Sequence, residues 1–188
     1  MRRTPRIVAG AGLAALILMG LAAGPAGAAT RRPSPAVLAQ LQSLEDYQAI
    51  QMMLARYMVA EDSNDWKTYS SLFATKGELL FQKNDWVGRE RIFTGMQAAE
   101  NAPNSVLKAH GLRHSLSNID INVEGDHARV TSRWIVMSRQ ADGRPLVGAT
   151  GHLDDTLIRE DGEWKFEKRV IYTDFPFDDP LANQTGKR

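Results

Sequence analysis

Three acids placed close together raise the first chemical question of this sequence. In "YMVAEDSNDWKTYSSLF", residues 57–73, Glu61, Asp62 and Asp65 follow an apolar helical pattern and alternate with Ser63, Asn64 and Trp66. Asp, Ser and Asn favour caps and turns, so the cluster can be a helix running out. A carboxylate at the end of an element can also look into a cavity, where burial raises its pKa and a nearby imidazolium lowers it. Poised that way, Asp62 could take a proton from a carbon acid or orient a histidine. A second proton carrier is His114, in "LRHSLSN", because an imidazole of unperturbed pKa ~6.5 gives or takes a proton near neutrality. His114 shares strand parity with Leu112, Leu116 and Asn118, and Ser115, Ser117 and Ile119 face the other way. That alternation does not decide which face is inner. Tyr57 lies on the apolar helical stripe, either as core packing or as a hydroxyl donor to a substrate oxygen. Trp86 and Trp134 are candidates for a substrate-pocket wall.

Other chemistries are excluded by what the chain lacks. It has no Cys, which removes disulfides, thiol catalysis and thiolate metal sites together. His110, His127 and His152 show no metal-ligand spacing, so no metal and no cofactor is expected. No Ser sits in a G-x-S-x-G elbow, and no phosphate-binding G-x-x-x-x-G-K occurs.

The elements that must position these residues begin after an export-like N-terminus. A basic "MRRTPR", an uncharged apolar run and "PAGAAT", with Ala26-Gly27-Ala28 in an A-x-A pattern, read as a secretory signal peptide over residues 1–28. An exported protein, periplasmic or secreted, is the expectation, and an uncleaved membrane anchor is the alternative. Cleavage would remove three arginines and no acid, turning the formal charge from +1 to −2. Such a chain carries no electrostatic footprint for nucleic acid and no basic surplus for an anionic membrane.

Residues 29–36 read as a linker. From Val37 to Glu61 the pattern is helical, with Leu44, Tyr47, Ile50, Leu54, Tyr57, Met58 and Glu61 on one face. A second helix is expected from Trp66 to about Phe73, capped by Asn64 or Asp65. A short strand follows at 77–82, a turn at 83–88 and a third helix at 89–100. The rest alternates in long runs broken at Gly125-Asp126, Asp142-Gly143 and Asp161-Gly162, a meander of antiparallel strands. Asp155 and Arg169 then fall opposite each other as a cross-strand ion pair. Helices first and strands afterwards make the class α+β. Residues 176–188 read as a C-terminal tail.

Three stretches carry a family resemblance: "RYMVAEDSNDWKTYSSLF", "LRHSLSNIDINVEGDHARVTSRWIV" and "GHLDDTLIREDGEWKFEKR". In that order they resemble the SnoaL-like proteins of the nuclear transport factor 2-like superfamily, over residues 37–175. The resemblance implies a cone-shaped α+β barrel, three helices packed on a strongly curved, mostly antiparallel sheet, with an apolar pocket at one end. It also implies subunits that pair through the sheet, a homo-oligomer. Members include polyketide cyclases, scytalone dehydratase, ketosteroid isomerase and limonene epoxide hydrolase, and others without a catalytic role. In the scytalone-dehydratase-like branch an Asp ending the first helix and a His on a strand handle the proton; these match Asp62 and His114. That branch has Tyr where this chain has Glu61. Glu61 and Asp65 are then expected to face solvent. The implied function is a cofactor-independent lyase or isomerase acting on a small, largely apolar carbonyl or hydroxyl compound. Its Asp–His pair would be assisted by Tyr57. The alternative is a non-catalytic binding or assembly module of the same fold.

Overall fold

The computed structural model describes residues 32–175 except 83, 104, 106, 108–110, 140 and 141. The signal-peptide and tail expectations, and His110, lie outside the described residues. The chain divides into two compact units, Met1–Pro33 and Ser34–Arg188, and every described element belongs to the second.

Helix α1 spans Pro35–Asp62. It starts two residues before the apolar pattern does, because the Ser34 side chain accepts from the Val37 N–H and Pro35 occupies a first-turn position. Pro is suited there, since its missing N–H would have had no helical partner. The expected stripe divides in two. Ile50, Leu54, Tyr57 and Met58 are buried, whereas Leu44 and Tyr47 are 66% and 45% exposed, as are Val37, Leu38 and Leu41 to similar degrees. Periodicity places residues on one face but supplies no surface opposite it. Burial begins only at Asp46, which Arg159 and Trp164 of the last hairpin hold by hydrogen bonds.

Helix α2 (Trp66–Ser71) is short, and strand β1 (Phe73–Phe81) begins earlier than the apolar run suggests. Phe73 is already paired in the sheet, and the Leu72 carbonyl accepts from the Phe166 N–H at 2.9 Å. Strand β2 (Asn84–Val87) folds back on β1, and α3 (Arg89–Asn101) follows. Long strands β3 (Arg113–Glu124), β4 (His127–Arg139), β5 (Pro145–Glu160) and β6 (Glu163–Phe175) make the meander expected from the turns.

The six strands form one open mixed sheet in the order β2-β1-β6-β5-β4-β3, parallel only between β1 and β6. Register shifts interrupt β3–β4, β4–β5 and β5–β6. Such bulges add local twist and bend, which lets one sheet curve round the helices. Its inner face and the helices share a core of Ile50, Leu54, Phe73, Ile92, Leu157 and Phe166.

Asp155 and Arg169 are paired across β5 and β6 as expected, but on the inner face. Arg169 donates Nε and Nη2 to the two carboxylate oxygens at 2.8 and 2.6 Å, and both residues are 0% exposed. The guanidinium lies 4.0 Å from the ring centres of both Tyr57 and Phe166. Burial opposes its charge, but the Asp155 carboxylate outweighs that and pushes its pKa above the ordinary value. Arg169 is a permanent cation beneath Tyr57.

Candidate active site

The stretch 61–65 divides its acids among three tasks. Helix α1 stops at Asp62. Ser63 Oγ turns back to the Val59 carbonyl at 2.7 Å, and Asn64 takes a left-handed φ of 56°. Asn64 is fixed there by bonds from its amide to Glu100 and to the Leu107 carbonyl. Asp65, exposed, caps α2 by accepting from the Thr68 N–H at 3.0 Å. It keeps the solvated role expected of it.

Asp62 points the other way, to β3. Its Oδ1 lies 2.7 Å from His114 Nδ1 and accepts from the His114 backbone N–H at 3.0 Å; Oδ2 lies 3.3 Å from that N–H. One carboxylate thus pins the strand and orients the ring it carries. An ionised carboxylate only accepts, so against it the ring proton sits on Nδ1, and a neutral ring held that way has its lone pair on Nε2.

The undecided face of β3 is decided by a bulge. His114 pairs with Val136 and Leu116 with Trp134, both inward; Ile121 pairs with Val130, also inward. Parity therefore changes between residues 117 and 120, where Asn118 adopts φ 50°. The extra residue lets His114 share the inner face with Ile119, Ile121 and Val123, which simple alternation would have put opposite it.

Glu61 corrects the expectation of a solvent-facing residue. Its side chain is 15% exposed and lines a cavity of about 520 Å³ together with His114, Tyr57 and Tyr69. Its Oε1 lies 3.9 Å from His114 Nε2, the nitrogen that Asp62 leaves unused. Burial pushes the Glu61 carboxyl above its ordinary pKa; His114 and Arg169 pull against that, and Asp62 reinforces it. The signal was in the sequence: Glu61 completes the apolar stripe four residues after Tyr57. Residue type argued for solvent where position argued for the interior.

Tyr57 lines the cavity, with its hydroxyl in a short hydrogen bond to that of Tyr69. Burial pushes both phenols well above their ordinary pKa, so both remain protonated. Two O–H groups share one bond, which leaves one proton to donate elsewhere. Tyr69 had no signal beyond being an aromatic on a short helix.

Trp86 and Trp134 both line the cavity. Each lies against a glycine. A Cβ on Gly95 of α3 would come within 2.6 Å of the Trp86 ring, and one on Gly151 of β5 would come 2.7 Å from Trp134 Nε1 and 1.9 Å from the Tyr172 carbonyl oxygen. Met58, Leu79, Met96 and Leu153 complete a largely apolar wall. Elsewhere His127 is exposed, and His152 stacks on Tyr172 with Nδ1 2.9 Å from Asp174. Among the described residues no group of three or more His, Asp or Glu is placed to hold a metal ion. None of the described helices is long and apolar enough to cross a membrane.

The helices pack on one open sheet, and the Asp62–His114 pair reaches the largely apolar cavity through the His114 ring. The SnoaL-like domain aligns with residues 42–170. The chain belongs to that family. No curated protein matches this SnoaL-like chain in sequence. Among solved structures, it is similar to an NTF2-like protein with a cystatin-like fold from Novosphingobium aromaticivorans. The two are 22% identical with a TM-score of 0.67, over 84% of this chain and 99% of that one. A protein of unknown function from Mycobacterium tuberculosis is 24% identical with a TM-score of 0.61, over 73% and 81% of the two chains. A protein assigned as a scytalone dehydratase, also from N. aromaticivorans, is 25% identical with a TM-score of 0.56, over 70% and 85%.

Proposed function

We propose that this SnoaL-like protein is a proton-transfer enzyme, a lyase or isomerase acting on a small, largely apolar carbonyl compound. The observation that carries this reading is the Asp62–His114 pair, joined at 2.7 Å through Nδ1, with His114 lining an apolar-walled cavity. His114 would act as the base at a carbon next to the carbonyl, and Asp62 would hold its tautomer and stabilise the imidazolium that forms. The Tyr57–Tyr69 pair would donate its spare O–H to the carbonyl oxygen as negative charge develops there. All the groups needed to move one proton are side chains of this chain. The assignment of a solved relative as a scytalone dehydratase fits the same chemistry.

Hydrogen–deuterium exchange next to a carbonyl tests this without knowledge of the natural substrate. Benzylacetone, a small aryl ketone, should exchange its α-protons in D₂O faster with the protein than without it. His114→Ala and Asp62→Asn should each lower that rate about 100-fold or more. Benzylacetone that binds, but exchanges no faster with the protein than without it, would instead mark a binding module.

We also infer from the basic start, apolar run and Ala26-Gly27-Ala28 that the protein is exported. A mature N-terminus at or near Ala29 in expressing cells would support export, and an intact Met1 would refute cleavage.

A further inference from the structure

Of the carboxyl groups Asp155, Asp62 and Glu61, two are committed. Asp155 is closed against Arg169 by two hydrogen bonds, and Asp62 spends its oxygens on the ring and the backbone of His114. The Glu61 carboxyl receives no hydrogen bond from any described residue, and its nearest charge partner is His114 Nε2 at 3.9 Å. Among the described residues that line the cavity, Glu61 is the one acid and His114 the one histidine, and there is no Lys or Arg. The rest of the wall is largely apolar, with the rings of Tyr57, Trp86 and Trp134 in it. Aromatic rings attract an organic cation lying over their faces. A buried carboxylate without a partner is costly, and burial does push Glu61 above its ordinary pKa. A ligand bringing a positive charge would supply the missing partner. One bringing a carboxylate or phosphate would meet no permanent cation on the described wall.

We propose that the ligand of this cavity carries an ammonium group, and that Glu61 is its counter-ion. In the terms of the proton-transfer reading above, on which the reaction but not the binding rests, the substrate is an amino ketone or amino aldehyde with an apolar remainder. Glu61 Oε1 is 3.9 Å from His114 Nε2, so a nitrogen hydrogen-bonded to Glu61 lies only a few bonds from the carbon at which His114 works. A positive charge that close withdraws electrons from this carbon and makes its C–H more acidic. Selection works in both directions. A neutral ligand leaves the Glu61 charge unpaired, and an anionic one is repelled by it. Glu61 chooses the substrate, and the transferred proton stays with His114.

Three probes of similar shape test this by calorimetry on the whole protein at neutral pH: 3-phenylpropylammonium, 3-phenylpropan-1-ol and 3-phenylpropanoate. The ammonium should bind about 10-fold or more tighter than the alcohol, as a charge-assisted hydrogen bond allows, and the carboxylate should bind most weakly. Glu61→Gln should remove the advantage of the ammonium and change the affinity for the alcohol little, which also shows that the variant is folded. Glu61→Asp, which keeps the charge on a shorter arm, should retain part of the advantage. An ammonium that binds the unsubstituted protein no tighter than the alcohol, or not at all, would overturn the proposal. So would an advantage that survives Glu61→Gln. Benzylacetone exchange by the unsubstituted protein is read separately. Exchange without a preference for the ammonium removes this proposal and leaves the proton-transfer reading. A preference without exchange supports the ammonium site and removes that reading.

Discussion

Asp155 meets Arg169 across β5 and β6, and Asp62 meets His114 between α1 and β3; both are carboxylate–base pairs on the inner side of one sheet. In the first, two hydrogen bonds close the carboxylate against the guanidinium, two aromatic rings lie 4.0 Å from it, and neither residue reaches solvent. In the second, Asp62 uses its oxygens on one edge of the ring, and the other edge stays beside Glu61 in the cavity wall. Partner chemistry deepens the contrast. A guanidinium never gives up its proton in a protein, while an imidazole does so near neutrality. Unused hydrogen-bonding capacity alone does not separate a strut from a site, since the buried Arg169 Nη1 also lacks a hydrogen-bond partner among the described residues; the difference is that His114 lines the cavity and Arg169 does not.

Removing the strut should have the largest effect on stability. Asp155→Ala leaves a cation buried against Tyr57 and Phe166 with no hydrogen-bonded counter-charge, a change that costs about 3–5 kcal/mol when a buried pair is broken from one side. Urea denaturation should show that loss, and the double variant Asp155→Leu/Arg169→Met should regain most of it, because the cost lies in the orphaned charge. A double variant no more stable than Asp155→Ala would mean that the ion pair itself, and not its desolvated remainder, holds β5 to β6.

The opposite signature is expected at the site. Asp62→Asn keeps the size of the side chain and an acceptor for Nδ1–H, but removes the charge that stabilises an imidazolium. Exchange of benzylacetone should fall about 100-fold or more, while the urea midpoint moves less than with Asp155→Ala. Equal stability losses from the two substitutions would erase the distinction between them.

Much of this difference is legible in the sequence. The turns at Gly125, Gly143 and Gly162 define the hairpins, and the last of them sets Asp155 opposite Arg169. That the pair lies inside was not legible, because charge argues for the surface and only the curvature of the sheet brings this register inward. The class, the helix order and the Asp–His candidates also follow from pattern and resemblance. The failures have local causes. Leu44 and Tyr47 repeat like core residues but no described residue buries them, and Glu61 repeats like a core residue and is one. The face of His114 hangs on a single extra residue near Asn118, which no alternation rule reveals. Gly95 and Gly151 shape the cavity through what they lack, and an isolated glycine in a pattern does not say which ring needs the room.

A smaller effect separates Glu61 from both pairs through pH. Its folded pKa is raised above its ordinary value of 4.5, so the folded protein binds that proton more tightly than the unfolded chain does. The stability this provides is complete below pH 4.5 and is lost as pH rises through the folded pKa. The groups facing Glu61 are Tyr57 and Asp62 on α1, Tyr69 on α2, His114 on β3 and Arg169 on β6. Of these, Tyr57, Tyr69 and Arg169 keep their protons across the window. Urea denaturation at stepped pH should therefore show Glu61→Gln gaining on the unsubstituted protein as pH rises above 4.5. A constant difference between the two would mean that Glu61 folds as an ordinary solvated carboxylate.

The smallest effect belongs to the third acid of the stretch. Asp65 is exposed, touches neither the cavity nor His114, and satisfies one otherwise free N–H at the start of α2. Asp65→Ala should lower the thermal midpoint slightly, as loss of a helix cap does. It should leave benzylacetone exchange as it was. Three acids within five positions would then be separable by three readouts: exchange for Asp62, the pH dependence of stability for Glu61, and stability alone for Asp65. A loss of exchange in Asp65→Ala would show that α2, through Tyr69 and its bond to Tyr57, transmits the cap to the site. The line between strut and site would then have to be drawn around the helix, not around the residue.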